Sequence, residues 1–432
     1  MFIFMTARLI TPELRQNFHH LYADIFWFGI LSGSTMAFLA IYAARLGASG
    51  LQIGLLTAGP AVMNLIFSLP AGRWMESHHL VRVSFWSALL YRAGYLALIP
   101  LPWLFISKWE IWTIVLITLV MSIPGTMLAI SFNAMFADVV PPEWRSDVVG
   151  RRNALMSVSL SATALLCGQL LDRIIFPLNY QIVFGLGALG AAISTYHVGS
   201  IQFGDARPLR RIGRPLGDFA RPGLQRFGDA IRLAVGLRFL TRSRGKSLLR
   251  FDLLRGPFGP FLAAYLLFYT FQFLPVSIFP LAYVHALNLT DGAISLGSAL
   301  FYATMLMISL RLSHLSVQYG HKRLLVFSAI AYGIYPLLIG LARDATLFWL
   351  ASLVGGLVWG IASAAAINRL MERVPEDARP AYMALHNLAM NIGILAGSLS
   401  GPLLVEQVGI PEALLIGAGL RMFAGLLLAV WG

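Results

Sequence analysis

Cysteine is nearly absent from the sequence, since Cys167 is the only one. A single cysteine excludes an intramolecular disulfide and any metal cluster built on several thiolates. We interpret Cys167 as a small apolar side chain within a helix rather than as a reactive thiol.

Charged residues are scarce as well. They make up 12% of the chain, whereas hydrophobic residues make up 58%. Soluble domains usually carry about a quarter charged residues. A chain this apolar cannot bury its hydrophobic surface in one core, so the composition predicts an all-α integral membrane protein.

Enzyme motifs are missing too. The sequence has no phosphate-binding glycine loop followed by Lys-Ser/Thr, which argues against ATP hydrolysis. His19-His20 and His78-His79 are adjacent pairs, whereas metal ligands on one helix face lie three or four residues apart. We therefore expect no catalytic residue, no metal and no cofactor. A polytopic membrane enzyme is a poor alternative, because no nucleophile or acid pair can be recognised.

Long apolar runs dominate the rest of the chain. A helix needs about 20 apolar residues to cross a bilayer. Twelve such runs lie near 20–44, 51–72, 81–104, 109–135, 150–172, 179–202, 257–286, 291–317, 322–343, 346–370, 380–405 and 411–431. They predict an N-terminal six-helix bundle over 1–202, a basic linker over 203–256 and a C-terminal six-helix bundle over 257–432.

The basic residues predict the orientation, because Lys and Arg concentrate in cytoplasmic loops. With the N-terminus inside, the outside loops hold only Arg45, Lys108, Arg173 and Arg343. We therefore expect both termini in the cytoplasm, in a multi-pass protein of the plasma membrane (the inner membrane, if the source is bacterial) that acts as a monomer.

The linker 203–256 carries 13 basic and 4 acidic residues. A basic segment can bind nucleic acid, but one placed between membrane spans is better explained by contact with anionic lipid headgroups. Apolar residues recur at helical spacing in it, which is typical of an amphipathic helix lying on the membrane: Leu224, Phe227, Ile231, Val235 and Phe239.

Two short sequence motifs each occur twice along the chain. "VVPPEWRSDVVGRRNAL" and "RVPEDARPAYMALHNLA" each place an Asn eight positions after an Arg, namely Asn153 after Arg145 and Asn387 after Arg379. "LGASGLQIG" matches "LNLTDGAIS" at an offset of 241, where Ser49 and Thr290 are expected helix N-caps. Two like halves of six spans each are therefore parallel copies, as in transporters with a repeat axis along the membrane normal.

On these features the sequence resembles the major facilitator superfamily. The inner loop between the second and third helices of a half is a signature of that family. Its pattern is matched in part by "PAGRWMESHHLVRV" and by "VQYGHKRLLV". The first copy departs from the pattern, with Glu76 for Asp, Ser77 for a basic residue and His79 for the turn glycine.

The resemblance implies a cytoplasmic gate. In the family, the acid of the first loop contacts the start of the eleventh helix, so Glu76 would face the region of Pro380. Ordinary solvated loop charges are the alternative reading. The gate residues we expect are Gly72, Glu76, Arg82, Asp138, Arg145, Arg152, Gly320, Lys322, Arg323 and Arg379.

The resemblance also implies a central cavity, lined mainly by the first, fourth, seventh and tenth helices. Polar residues in these spans and in the eleventh recur about one or two helical turns apart. For Ser and Thr, hydrogen bonding to their own backbone is an equal alternative. The cavity-lining residues we expect are Asp24, Thr35, Thr126, Tyr269, Gln272, Trp359 and Asn391.

Two arginines, Arg92 and Arg421, lie near mid-span, where a charge needs a partner. Asp24 is a candidate partner for Arg92, across an offset of roughly 10 Å along the helices. Arg421 has no partner that the sequence identifies. Asp24 and Asp138 are the acids that could carry a coupling proton, so coupling through Asp24 and uniport both stay open.

The favoured function is a secondary transporter that works by alternating access. An aromatic, amide-rich cavity with few acids fits a small neutral, amphipathic or mildly anionic solute, and we favour export of an amphipathic compound. The alternative is a receptor or scaffold that kept the fold and lost transport, which the departures in the first loop would favour.

Overall fold

The computed structural model describes residues 11–75, 78, 80–202, 251–375 and 379–432, and nearly all of them are helical. The helices of the first half are α1 (Pro12–Leu31, continued by a π-helical turn, Ser32–Met36, and by Ala37–Arg45), α2 (Gly50–Met75), α3 (Leu80–Ala97, followed by Leu101–Leu104), α4 (Ser107–Val139), α5 (Pro142–Arg173) and α6 (Leu178–Gly199). Those of the second half are α7 (Phe258–Leu281, continued by a π-helical turn, Ala282–Ala286), α8 (Asp291–Tyr319), α9 (His321–Ala331 and Ile334–Leu341), α10 (Ala345–Arg373), α11 (Arg379–Val408) and α12 (Ile410–Trp431).

Eleven of these helices, within the described ranges, are long and apolar enough to cross a membrane. The predicted third span corresponds to α3. This helix of 18 residues is not counted among the eleven, because Arg82 and Arg92 lower its mean hydropathy. The burial of Arg92 inside the bundle compensates for this polarity, because its charge is not presented to lipid.

The helices form two bundles. In the first, α1 packs against α5 and α6, and α3 packs against α4 and α6. In the second, α7 packs against α11 and α12, and α8 packs against α10. The bundles contact each other along two extensive helix pairs, α2 with α11 and α5 with α8. The end of α1 also contacts α7.

The outward surface of the bundles is apolar, as a lipid-facing surface must be. Leu90, Trp103, Ile106 and Trp109 are among the large hydrophobic side chains that remain exposed. Trp103 and Trp109 flank the turn between α3 and α4. Tryptophan is enriched at this level of membrane proteins, where the hydrocarbon meets the headgroups.

The predicted repeat of the turns after α1 and α7 is visible in the backbone. Gly47 and Asn288 both have positive φ, 85° and 47°, a conformation that Gly and Asn adopt most readily. Thr290 then caps α8 by accepting a hydrogen bond from the Ala293 N–H at 3.1 Å. Ser49 accepts one from the Gln52 N–H at 3.4 Å, so both predicted N-caps are confirmed.

The inner loop of the second half is equally short. Gly320 ends α8 with φ of 75° and leads directly into α9, so this position requires glycine. Lys322 is half-buried and Arg323 exposed in the first turn of α9. The first-half counterpart around Glu76, Ser77 and His79, and the predicted amphipathic helix of the linker, lie outside the described residues.

Candidate functional site

Asp24 is the centre of a buried polar cluster in the first bundle. Its Oδ1 is 3.3 Å from Arg92 Nη2 of α3, and its Oδ2 is 3.2 Å from Arg152 Nη2 of α5. Ser194 of α6 donates a hydrogen bond to Oδ1 at 2.6 Å. Asp24 therefore joins α1 to three other helices, and the Asp24–Arg92 pair that the sequence left open is formed.

The cluster holds one more positive charge than negative charge. Arg92 and Arg152 both face Asp24, and each has further support. Arg92 Nη1 donates to Thr195 Oγ1 at 3.0 Å, and Arg152 lies 4.9 Å from the centre of the Phe132 ring. Desolvating two arginines requires this many partners, because a buried charge with too few of them costs several kcal/mol.

A second polar cluster joins the two bundles at the end where α1 and α7 finish, which we call the outer end after its predicted orientation. Arg45 at the end of α1 forms an ion pair with Asp291 at the start of α8, with Nη2 2.9 Å from Oδ1. Arg45 Nη2 also donates to the Leu289 carbonyl at 2.7 Å. The Tyr180 hydroxyl of α6 donates to the same Asp291 oxygen at 2.9 Å.

The N-terminus of α8 receives an additional contact from the first bundle. The Gly292 N–H lies 3.1 Å from both carboxylate oxygens of Asp172, at the end of α5. A carboxylate at a helix N-terminus satisfies a free N–H and interacts favourably with the helix dipole. We call Arg45, Asp172, Tyr180 and Asp291 the outer latch, because all four take part in polar contacts between the halves.

Glu110 is a buried acid that the sequence reasoning missed. It lies in the first turn of α4, 2% exposed, and accepts a hydrogen bond from the Tyr42 hydroxyl. The Tyr42 ring in turn packs on the Tyr180 ring, with 4.7 Å between centroids. Glu110 therefore contacts the outer latch through Tyr42, whose ring packs on Tyr180.

The predicted cavity residues are turned away from lipid. Asp24, Thr35, Thr126, Tyr269, Gln272 and Asn391 are buried, and Trp359 is half-buried. Several bond within their own bundle. Thr126 donates to the Ser122 carbonyl, which is the backbone alternative, and Asn391 donates to the Asn387 carbonyl. The Tyr269 hydroxyl lies 3.2 Å from His386 Nε2.

Of the predicted inner-gate residues, two arginines form hydrogen bonds within the first bundle, and two other residues are exposed. Arg145 donates to the Val140 and Ala137 carbonyls and so caps the end of α4, whereas Arg152 lies inside the first bundle on Asp24. Asp138 and Arg82 are exposed at the ends of α4 and α3. Gly72 lies within α2 and Arg379 begins α11, while Glu76 lies outside the described residues.

The chain matches the family model of the Major Facilitator Superfamily over residues 25–247 and 261–432. It therefore belongs to the major facilitator superfamily, as its sequence motifs indicated. No curated protein sequence matches it.

Solved structures of this superfamily share its fold at low sequence identity. The nucleoside transporter NupG has a TM-score of 0.66 at 12% identity, covering 96% of this chain and 98% of that one. The human organic anion transporter MFSD10 has a TM-score of 0.61 at 14% identity, with 96% and 99% coverage. The xylose transporter XylE from E. coli has a TM-score of 0.64 at 12% identity, with 96% and 97% coverage.

The predicted fold class is thus confirmed, and with it the general function. The chain is a multi-pass membrane protein and a secondary transporter of this superfamily, whose members bind small-molecule solutes, and it is not an enzyme.

Proposed function

We propose that this chain carries a small neutral or amphipathic organic solute across the plasma membrane by alternating access, in the direction of export. The observation that supports this most directly is the outer latch. Its contacts between the halves are polar, and a polar contact can be exchanged for water when the outer end opens, at a net cost of about 1.5–3 kcal/mol per hydrogen bond to a charged group.

The solute class follows from buried and half-buried residues of the second bundle. Gln272 and Asn391 are buried amides, and Tyr332 stacks on the half-buried Trp359 at 5.1 Å between centroids. Aromatic rings bury apolar area while amides supply hydrogen bonds, a combination that is typical of sites for amphipathic small molecules.

The remaining features of the proposal rest on the sequence. Both termini and the linker 203–256 lie on the cytoplasmic side, and the linker contacts anionic headgroups and no nucleic acid. Residues 1–202 and 257–432 are the two moving halves of a monomer. The inner gate is built around Glu76 and Arg379, with Asp138, Lys322 and Arg323 near it.

The latch is tested by cysteine accessibility. In a Cys167→Ala background, Trp359→Cys places a thiol at a half-buried position of α10 that the proposal assigns to the cavity. Arg45→Ala should open the outer end and increase the labelling rate of that thiol by a membrane-impermeant reagent added outside. Arg343→Ala, which removes an exposed arginine in another loop of the same end, is the matched control. An unchanged labelling rate in Arg45→Ala would refute the latch.

Flux measurements separate a carrier from a receptor with the same fold. Purified protein in liposomes should transport at least one member of a panel of amphipathic solutes, and transport should depend on the outer latch. Binding without flux of any bound solute would favour the receptor.

A further inference from the structure

Arg421 is a charge in the middle of the second bundle that its surroundings satisfy only in part. It lies on α12, is 2% exposed, and donates from Nη2 to the Gln272 carbonyl at 2.5 Å and from Nε to the Phe271 carbonyl at 3.4 Å. Among the described residues no carboxylate forms an ion pair with it. Two carbonyls of α7 and the neutral Tyr332 side chain therefore have to stabilise a full positive charge within the membrane.

Two polar atoms at this place have no hydrogen-bond partner in the described protein. One is the donor Nη1 of Arg421, and the other is the acceptor Oε1 of Gln272, whose side chain is also buried. The Tyr332 hydroxyl lies near both side chains, but neither atom forms a hydrogen bond of good geometry with it. An unsatisfied buried donor or acceptor costs about 1–3 kcal/mol, and more when it is charged. Keeping both in one place is therefore expensive unless a further molecule uses them.

Aromatic rings surround this pair of atoms. The Arg421 guanidinium carbon lies 4.5 Å from the centre of the Tyr332 ring and 5.8 Å from that of Phe279. Tyr332 continues the surface to Trp359, which is half-buried. A flat apolar group can pack against these rings, and the rings strengthen the field at the cation by excluding water.

The first bundle also buries more positive charge than negative charge. Its buried cluster holds Arg92 and Arg152 against Asp24 alone, and the Nε of Arg92 is a further buried donor without a partner. Glu110, a buried acid that accepts from Tyr42, lies at the outer end of α4, remote from both places. Each bundle interior thus has a local excess of positive charge.

We propose that Arg421 and Gln272 bind the polar group of the solute, and that the solute is an amphipathic organic anion. Its carboxylate, or an equivalent anionic group, accepts from Arg421 Nη1. A donor on the solute meets Gln272 Oε1, and a flat apolar body packs on Tyr332 and Trp359. The inference rests on the proposed carrier function and narrows its solute from neutral or amphipathic to anionic.

Matched acids and amides test the charge requirement. The thermal unfolding of the purified full-length protein is followed with indole-3-acetate against indole-3-acetamide and with 6-hydroxy-2-naphthoate against 6-hydroxy-2-naphthamide, so that each acid also carries a donor. Each pair differs in charge but hardly in shape. The acids should raise the Tm in proportion to the logarithm of their concentration. The amides should bind roughly tenfold to hundredfold more weakly, as expected for losing a hydrogen bond between charged groups.

Substitutions of Arg421 test whether this residue binds the acids. Arg421→Gln should lose the response to the acids, Arg421→Lys should keep part of it, and the exposed control Arg343→Gln should keep all of it. Without ligand, Arg421→Gln should unfold at the same temperature as the unmodified protein or higher, because an incompletely satisfied charge has been removed.

Three results would overturn the proposal: amides that bind as tightly as acids, an Arg421→Gln variant that still binds the acids, or acids that never raise the Tm. A lower Tm for ligand-free Arg421→Gln with unchanged acid binding would identify Arg421 as a structural anchor instead. None of these results changes the cysteine labelling at Trp359→Cys, which tests alternating access independently of the solute's charge.

Discussion

Asp24 illustrates what one buried carboxylate does in a protein surrounded by lipid. Helix association in a membrane lacks the hydrophobic driving force that operates in water, so packing and interhelical hydrogen bonds hold helices together. Asp24 forms ion pairs with Arg92 and Arg152 and accepts a hydrogen bond from Ser194, and these three partners lie on three different helices. It therefore fixes the relative positions of α1, α3, α5 and α6 in the first bundle.

Asp24→Asn should accordingly destabilise the protein strongly. The substitution keeps the size of the side chain but leaves two buried arginines without a carboxylate, and losing one partner of a buried pair costs about 3–5 kcal/mol. Thermal unfolding in detergent should show a clear fall in the Tm. Glu406→Gln, which neutralises an exposed acid, should change the Tm little. Equal Tm values for the two variants would mean that Asp24 does not organise the bundle.

At the scale of elements, close helix contacts between the halves depend on small residues. Gly168 of α5 lies directly against Ser295 of α8, and Gly54 of α2 lies against Ser398 and Pro402 of α11. A Cβ at Gly54 would be 2.6 Å from the Ser398 carbonyl oxygen. Such contacts let the two bundles approach each other closely near the outer end, along the α5–α8 and α2–α11 contacts.

Gly168→Val should therefore prevent the outer end from closing. Its side chain would overlap Ser295 and approach the Asp291 carbonyl oxygen, so α5 and α8 would have to separate. We expect faster labelling of the Trp359→Cys thiol from outside and slower transport. Gly185→Val on α6 is the control, because an added Cβ there meets no atom within 4 Å. Similar labelling rates in both variants would show that this contact does not limit closure.

At the scale of the molecule, the structure joins the halves at the outer end through residues from both copies of the repeat. Arg45 and Asp291 lie in or beside the two equivalent turns after α1 and α7. A pseudo-twofold axis between parallel halves brings such turns together. Under the proposed alternating-access mechanism, the outer latch is the closed form of one gate, and it has to break when the inner end closes.

The sequence predicted the spans, the repeat and both N-caps, because hydrophobic length and capping are local signals. It also identified Arg92 as a costly charge near mid-span and Asp24 as its candidate partner. It did not identify Ser194 as a partner of Asp24, because a serine hydroxyl in a helix bonds its own backbone as readily as a distant carboxylate. It did not identify Tyr180 as a residue of the outer latch either. Glu110 was missed because an acid in the first turn of a span resembles an ordinary solvated helix start.

One signal for the outer latch was available in the sequence. Opposite charges, Arg45 and Asp291, flank the two copies of one repeated turn, and a symmetric arrangement of the halves would place them near each other. Aligning the charges of the repeats, as well as their apolar residues, would have predicted this pair.

The most direct test of the account is a pair of distances measured by spin labels in a Cys167→Ala background. Labels at Lys108 and Arg343 report the outer end, and labels at Arg82 and Arg323 report the inner end; all four positions are exposed or half-buried in the structure. Arg45→Ala should lengthen the outer distance and shorten the inner one. Two distances that stay unchanged, or that lengthen together, would contradict two halves that open at opposite ends in turn.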